Sequence, residues 1–170
     1  SLRLPVSSSA DPGKLGIFHK VGEQWEYQLT TIEDGFAIAT VDSFSTYAVL
    51  EAEVVDAPIS VSELQLKPGT AIELVSNTAG AQIYISTTSS NYPIDFQPYD
   101  ASLVMPDENL DIYAIAVRPN MINSEIITFK YRVNNITIKV LDQSGNGLSG
   151  VQLRFTDGTA PIVTDSMGLA

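Results

Sequence analysis

Apolar and polar residues alternate along most of this chain, whereas apolar residues at helical spacing are scarce. Successive side chains of a strand point to opposite faces, so a period of two predicts strands with one buried face. We find no convincing window with apolar residues at i, i+3, i+4 and i+7. The pattern therefore predicts an all-β protein of strands and turns.

The first group of predicted strands ends near residue 55. Trp25, Tyr27 and Leu29 fall on one face of a strand, and Glu33-Asp34-Gly35 is a turn that leads into another. Residues 51–58 combine charge with proline, which is typical of a strand that runs into a linker. We predict an incomplete β-sandwich unit over residues 1–55.

The second group gives a more continuous pattern, over residues 56–133. A hairpin is predicted from strands at 71–75 and 81–86, and the apolar run at 110–117 is long enough for a central strand. An irregular, proline-containing segment at 87–106 separates them. The last predicted strand has one apolar face, formed by Ile127, Phe129, Tyr131 and Val133.

The pattern starts again after residue 134. Two strands surround the turn Ser144-Gly145-Asn146-Gly147, and too little chain follows to complete a sandwich. We therefore predict the truncated start of a third module over residues 134–170. Its buried face is predicted to consist of Ile136, Ile138, Val140, Val151, Leu153 and Phe155.

The composition excludes several functions but does not identify one. Twenty acidic and nine basic residues give a net charge of −11, which repels phosphate backbones, so nucleic acid is not an expected partner. Apolar runs are far shorter than the ~20 residues that span a bilayer, so no membrane insertion is expected of this segment. The absence of cysteine excludes disulfides and thiolate metal sites.

Residues 14–50 resemble the closing half of a sandwich in Gram-positive surface and S-layer-associated proteins, and also the ZU5 domain. Trp25 and the run 42–50 (Asp-Ser-Phe-Ser-Thr-Tyr-Ala-Val-Leu) carry this resemblance. The family pattern has a histidine where this chain has Ser43, and the front half of its sandwich is missing here. The resemblance implies self-cleavage at Phe44-Ser45 with Ser45 as nucleophile. Because Ser43 provides no base, we expect the chain to stay intact.

Residues 58–133 resemble the chitobiase/β-hexosaminidase C-terminal-like domain, also called fibronectin type III-associated. The matching features are Pro68-Gly69, the strand 71–74, the run 80–86, Tyr99 and the strand 112–116. The family's Asp-Gly-Ser turn has no counterpart in residues 87–92. This resemblance implies a fibronectin III-like β-sandwich.

Residues 135–170 are similar to the first half of bacterial Ig-like or Cna protein B-type modules, through the runs 140–151 and 164–168. Together the resemblances imply tandem Ig-like sandwiches in an exported bacterial protein, located at the cell surface or cell wall. The Cna-type family often has a lysine that bonds covalently to an asparagine, at a position matched by Lys139. A lysine exposed to solvent is the favoured interpretation, because the strand with that asparagine is absent.

Other candidate chemical groups each have a simpler explanation. His19 is the only histidine, so no multi-histidine metal site can form and an ordinary structural role is favoured. Asp142, Ser144 and Asn146 match half of a calcium loop, but its twelfth position is Leu153, which favours a hairpin turn. Residues 135–137 form a glycosylation sequon. Scattered surface acids are favoured over a paired-carboxylate or calcium site for Asp95, Asp100, Asp107, Glu108 and Asp111.

We expect a non-catalytic spacer or stalk, with no cofactor, no catalytic residue and no metal ligand. Its expected partners are neighbouring domains of the same surface protein. The alternative is a carbohydrate-binding accessory module that contacts cell-wall or extracellular glycan, because the chitobiase-like family often accompanies glycan-processing domains. Sugar rings stack on exposed aromatic side chains. The candidate glycan-binding residues are Tyr84, Tyr92, Tyr99 and Tyr113.

Overall fold

The structure is a computed structural model that describes residues 1–134, 137–154, 156 and 161–170. Within these ranges the elements are strands, apart from one 3-10 turn at Pro12–Lys14. The all-β prediction is confirmed. No helix in the described ranges is long and apolar enough to cross a membrane. The predicted face residues Ile136 and Phe155, and Asn135 of the sequon, lie outside the described residues.

Two compact units make up the chain, residues 1–133 and residues 134–170. The first unit contains two separate hydrophobic clusters, one in its N-terminal part and one in the remainder. The three-part division at residues 55 and 133 that the sequence suggests stays a prediction.

The N-terminal part of the first unit is a small sandwich of two three-stranded antiparallel sheets. Their strand orders are β1-β5-β4 and β3-β2-β6. The strands are β1 (Leu2–Pro5), β2 (Leu15–Val21), β3 (Gln24–Gln28), β4 (Thr30–Glu33), β5 (Phe36–Ala39) and β6 (Tyr47–Glu51).

A corner connects these two sheets on one side. The chain passes from β3 into β4 through Leu29, and the Thr30 hydroxyl donates to the Gln28 carbonyl at 2.6 Å. The same hydroxyl accepts from the Ile17 backbone amide at 2.9 Å, so it ties β2 to the corner. Ile17, Ala37 and Ala39 form the buried centre between the sheets.

The rest of the first unit is built on a five-stranded sheet of order β11-β10-β12-β13-β8, beside a two-stranded ribbon of β7 and β9. Neighbours in the sheet are antiparallel except β13 and β8, which run parallel. The strands are β7 (Ile59–Ser60), β8 (Gln65–Leu66), β9 (Leu74–Val75), β10 (Gln82–Ser86), β11 (Gln97–Pro98), β12 (Leu110–Val117) and β13 (Ile127–Val133).

One face of this sheet covers the larger hydrophobic cluster. The β12–β13 register pairs Leu110 with Tyr131 and Ile112 with Phe129, which places all four side chains on the core face. Tyr131 is fully buried, and its hydroxyl lies 2.6 Å from the Ser60 hydroxyl of the ribbon. The sheet and the ribbon are therefore held together by a polar contact as well as by apolar packing.

Hydrogen bonds join the two parts of the first unit at two places. Glu53 and Val55 of the connecting segment bond to Ile122, at 2.9 Å in both directions. In β3, the Trp25 amide donates to the Asn120 side-chain oxygen at 3.0 Å, and the Trp25 carbonyl accepts from the Asn120 amide at 2.8 Å. The turn at residues 118–122 thus contacts both the connecting segment and the edge of β3.

The second unit contains the hairpin of β14 (Gln152–Leu153) and β15 (Ile162–Val163). Its ends pair through mutual backbone hydrogen bonds between Ile138 and Ala170, both 3.0 Å long. Buried Thr164 accepts from the Val151 amide at 3.0 Å and donates to the Leu148 carbonyl at 2.6 Å. Hydrogen-bonded turns therefore contribute much of the order in this unit.

Candidate functional site

The face of the five-stranded sheet opposite the core carries two of the four predicted tyrosines. Strand pairing sets Tyr84 opposite Ile115 and Ser86 opposite Tyr113, so these side chains share one face. Both tyrosines are half-buried there. We call this surface the outer face.

Tyr92 extends the outer face from the irregular segment that follows β10. Its ring packs edge-to-face against Tyr84, with centroids 6.3 Å apart, and against Phe96, with centroids 5.3 Å apart. Burial, reinforced by nearby Tyr84 and Glu26, raises the pKa of the Tyr92 hydroxyl, while the neighbouring Asn123 amide lowers it in part. Tyr92 is therefore a neutral hydrogen-bonding group at physiological pH.

Tyr99 lies on the other side of the sheet and does not join these residues. Its ring packs against the larger hydrophobic cluster. Its hydroxyl donates to the Ile72 carbonyl at 2.8 Å and accepts from the Leu74 amide at 3.2 Å. The structure thus gives Tyr99 a role in holding the start of β9 and the residues just before it.

A groove of about 420 Å³ opens between the corner of the small sandwich and the outer face. Its volume lies in the range of small-molecule sites, which is roughly 300–1,000 Å³. Leu29 stands at the groove with 79 % of its surface exposed, whereas Ile115 is buried. The lining residues are Tyr27, Leu29, Ser90, Asn91, Tyr92, Ile115, Asn123, Ser124, Glu125 and Ile126.

Asn123 is the one groove residue with an unsatisfied buried atom in the described part of the chain. Its side-chain oxygen is fully buried and finds no hydrogen-bond partner among the described residues. A buried acceptor without a donor costs about 1–3 kcal/mol. Because strained or unsatisfied groups often mark functional surfaces, this unsatisfied oxygen makes the groove a candidate functional surface.

Each carboxylate suggested for a glycosidase or calcium site either has a hydrogen-bond or ion-pair partner nearby or is exposed. Asp95 accepts from the Ser89 hydroxyl at 2.6 Å, and Asp111 pairs with Arg132 at 2.9 Å. Asp100 accepts from both the hydroxyl and the amide of Ser102, which lowers the pKa of its carboxyl. Asp107 and Glu108 are exposed. Among the described residues there is no group of three or more His, Asp or Glu that could hold a metal ion.

The Asp142 loop closes on itself. Its carboxylate accepts from the amides of Ser144 and Asn146, at 2.8 and 2.9 Å, and from the Asn146 side chain at 3.1 Å. These bonds lower the pKa of Asp142. Asp165 repeats the arrangement by accepting from the amides of Met167 and Leu169. Both side chains act as turn-forming groups in the described residues.

His19 and the Phe44-Ser45 pair belong to the small sandwich. His19 stacks on Tyr47 with ring centroids 4.8 Å apart. Phe44 is fully exposed, and Ser43 lies 3.2 Å from the Tyr47 hydroxyl. Ser45 lines a second cavity of about 410 Å³, beside β1 and β6. The expectation that the chain stays intact at Phe44-Ser45 remains a prediction.

Lys139 is exposed and pairs through its backbone with Leu169. This position matches the solvent-exposed lysine that the alternation favours.

Sequence reasoning missed Tyr27, Leu29 and Asn123 as groove residues. Tyr27 and Asn123 are far apart in sequence, and periodicity reports only which residues share a face of one strand. The one local signal was Leu29, which continues the apolar alternation of Trp25 and Tyr27 in the sequence. In the structure, Leu29 lies exposed at the strand corner.

Comparison with known proteins adds no further information. No family model, no curated protein and no solved structure matches this chain.

Proposed function

We propose that this chain is a rigid spacer segment of an exported bacterial surface protein, acting outside the cell to hold a neighbouring domain away from the surface. The observation that carries this proposal is the junction within the first unit. A spacer must transmit orientation from one module to the next, and a freely jointed linker cannot do so.

The junction joins the modules at two places rather than one. The bonds from Ile122 hold the connecting segment, and the bonds from Asn120 hold the distant edge of β3. Lys14 adds an ion pair to Glu53 at 2.7 Å, although both side chains are exposed and the pair contributes little. Two attachments separated in space resist rotation, which a single hinge would permit.

The resemblance of successive segments to stalk modules supports the same proposal, as does the acidic charge of −11, which favours solubility and suppresses nonspecific association. Neighbouring domains of the same protein are the proposed partners.

The spacer proposal is tested by the distribution of distances between spin labels at exposed Ser9 and Glu108, which lie in the two parts of the first unit. We expect a narrow distribution. Asn120→Gly should broaden it, because glycine tolerates the φ of 63° at this position but removes the acceptor for the Trp25 amide. Asp34→Gly is the matched control, with φ 51° in an exposed turn away from the junction. A broad distribution in the unsubstituted chain would overturn the proposal.

Carbohydrate binding is a second proposal, favoured by the aromatic groove on the outer face. Tyr92 offers a ring and a neutral hydroxyl, while Ser90, Asn91 and Glu125 offer polar groups to a sugar. A pyranose has an apolar face and a rim of hydroxyls, and it suits such a mixed surface. Tyr84 and Tyr113 extend the same face.

A glycan array followed by titration tests this second proposal. Tyr92→Ala should abolish any binding found, and Tyr92→Phe should weaken it by loss of the hydroxyl. Phe44→Ala, which removes an exposed aromatic ring outside the groove, should leave it unchanged. Binding that survives Tyr92→Ala, or no binding to any glycan, would count against the groove as a sugar site.

A further inference from the structure

Strand β6 ends its sheet with an open hydrogen-bonding edge. The Lys20 amide donates to Thr46 and the Ala52 amide donates to Lys14, so even-numbered residues of this strand point their backbone groups toward β2. The amides and carbonyls of Tyr47, Val49 and Glu51 therefore point away from β2. None of these six groups has a hydrogen-bond partner among the described residues.

Two other edges of the small sandwich, those of β1 and β3, are better protected. Edge strands usually carry proline, lysine or a bulge that blocks the addition of another strand. β1 ends in Pro5, which has no amide hydrogen, and the outer edge of β3 is occupied by Asn120. Residues 40–52 contain no proline, lysine or arginine. β6 thus combines three free donors, three free acceptors and no blocking residue.

We propose that β6 pairs with β6 of a second copy of this chain, in an antiparallel register centred on Val49. That register pairs Val49 with Val49, and Tyr47 with Glu51 of the partner. Each chain then donates three hydrogen bonds and accepts three, so every open group of the edge is satisfied. A strand that matches itself in this way gives a closed two-fold dimer.

The side chains of the edge are compatible with this register. Glu51 is the only charged residue of β6, and in the dimer it faces a tyrosine rather than the other Glu51. Like charges directly opposite each other would destabilise the pair. The register is limited to β6 itself, because the segment after it already bonds through Glu53 and Val55 to Ile122 on the same side.

The association is weak and depends on salt. Five residues of edge bury less than the ~1,200 Å² of a stable interface. Two chains of charge −11 also repel each other at low ionic strength, and salt screens that repulsion. The dimer therefore forms at high local concentration and strengthens as salt increases.

The proposal is tested by amide hydrogen exchange, measured by NMR at chain concentrations from about 10 μM to about 1 mM. Small interfaces associate in this concentration range. Exchange of the Tyr47, Val49 and Glu51 amides should slow with concentration, by about tenfold when nine-tenths of the chain is dimeric. Exchange at Ala48 and Leu50 should not change with concentration, because these amides already bond to β2. Sedimentation over the same range should show a monomer–dimer equilibrium that shifts toward dimer with salt.

Val49→Pro should abolish the dimer, since it removes the central donor without removing a bond to β2, whereas Val49→Thr keeps the donor and should retain it. If Val49→Pro does not fold, the alternating exchange pattern of the unsubstituted chain still decides. A monomer at every concentration and salt would overturn the proposal. A dimer without protection of the Tyr47, Val49 and Glu51 amides would also overturn it. Protection of these amides that does not depend on concentration would overturn it as well, because it would assign the edge to a strand of the same chain.

Discussion

Gly16 shows how one small residue fixes the packing of β2 against β3. A Cβ at this position would lie 2.6 Å from Tyr27 Cε2 and 3.2 Å from Phe18 Cε2. The Tyr27 ring cannot easily move, because its hydroxyl accepts from the Thr30 amide and its edge packs on Phe18. Glycine inside a strand commonly marks such a close approach.

We therefore predict that Gly16→Ala lowers the free energy of unfolding by about 1–3 kcal/mol, the usual cost of overpacking. Gly13→Ala is the control, because a Cβ at Gly13 meets only Asp11 Oδ1 at an ordinary 3.4 Å. Urea unfolding of both variants gives the comparison. Equal stability of the two variants would contradict the close contact at Gly16.

A second residue-scale prediction concerns Tyr131 and Ser60. Ser60 donates its hydroxyl hydrogen to the Ser62 carbonyl at 2.8 Å, so Tyr131 is the donor in the 2.6 Å contact between the two hydroxyls. Tyr131→Phe should cost about 0.5–1.5 kcal/mol by loss of this bond. Combined with Ser60→Ala, its effect should be less than additive, as a double-mutant cycle would measure. Strict additivity would show that the contact contributes nothing.

At the scale of elements, alternation in the sequence predicted most long strands and the core face of β13, because side-chain direction is a local property of the backbone. It did not predict the parallel pairing of β13 with β8, or the pairing of Trp25 with Asn120, since partners distant in sequence leave no local pattern. The outer-face position of Tyr84 and Tyr113 follows from alternation, whereas Tyr99 lies beside a two-residue strand with too little pattern to show its direction.

The turns of the second unit give a prediction about acid. Hydrogen bonds from backbone amides lower the folded-state pKa of Asp142 and Asp165 below the ordinary 3.8. The stability they provide is present above that ordinary value and is lost as pH falls through the lowered values. We expect the melting temperature reported by signals from residues 137–154 and 161–170 to be lower near pH 3 than near pH 7. The difference between these two melting temperatures should be smaller in Asp142→Asn. Asp107→Asn, in an exposed turn of the first unit, should not change this pH dependence.

At the scale of the whole molecule, the described residues that form the two hydrophobic clusters of the first unit all lie within residues 1–133. A chain ending at Val133 should therefore keep nearly the same melting temperature for the first unit. A chain ending at Ser124 loses β13 with buried Tyr131, and it should not fold. A fall of more than about 10 °C on truncation at Val133 would contradict this, since ~1 kcal/mol shifts a small domain by about 4–8 °C.

The spacer proposal depends on residues 1–133 behaving as one rigid body. Residual dipolar couplings of backbone amides, measured in one weakly aligned sample, report the orientation of every strand relative to a common frame. We predict that couplings from β1 to β6 and couplings from β7 to β13 fit a single alignment tensor of the same magnitude and direction. Two tensors of different magnitude would show that the small sandwich and the five-stranded sheet reorient independently, and would contradict the spacer.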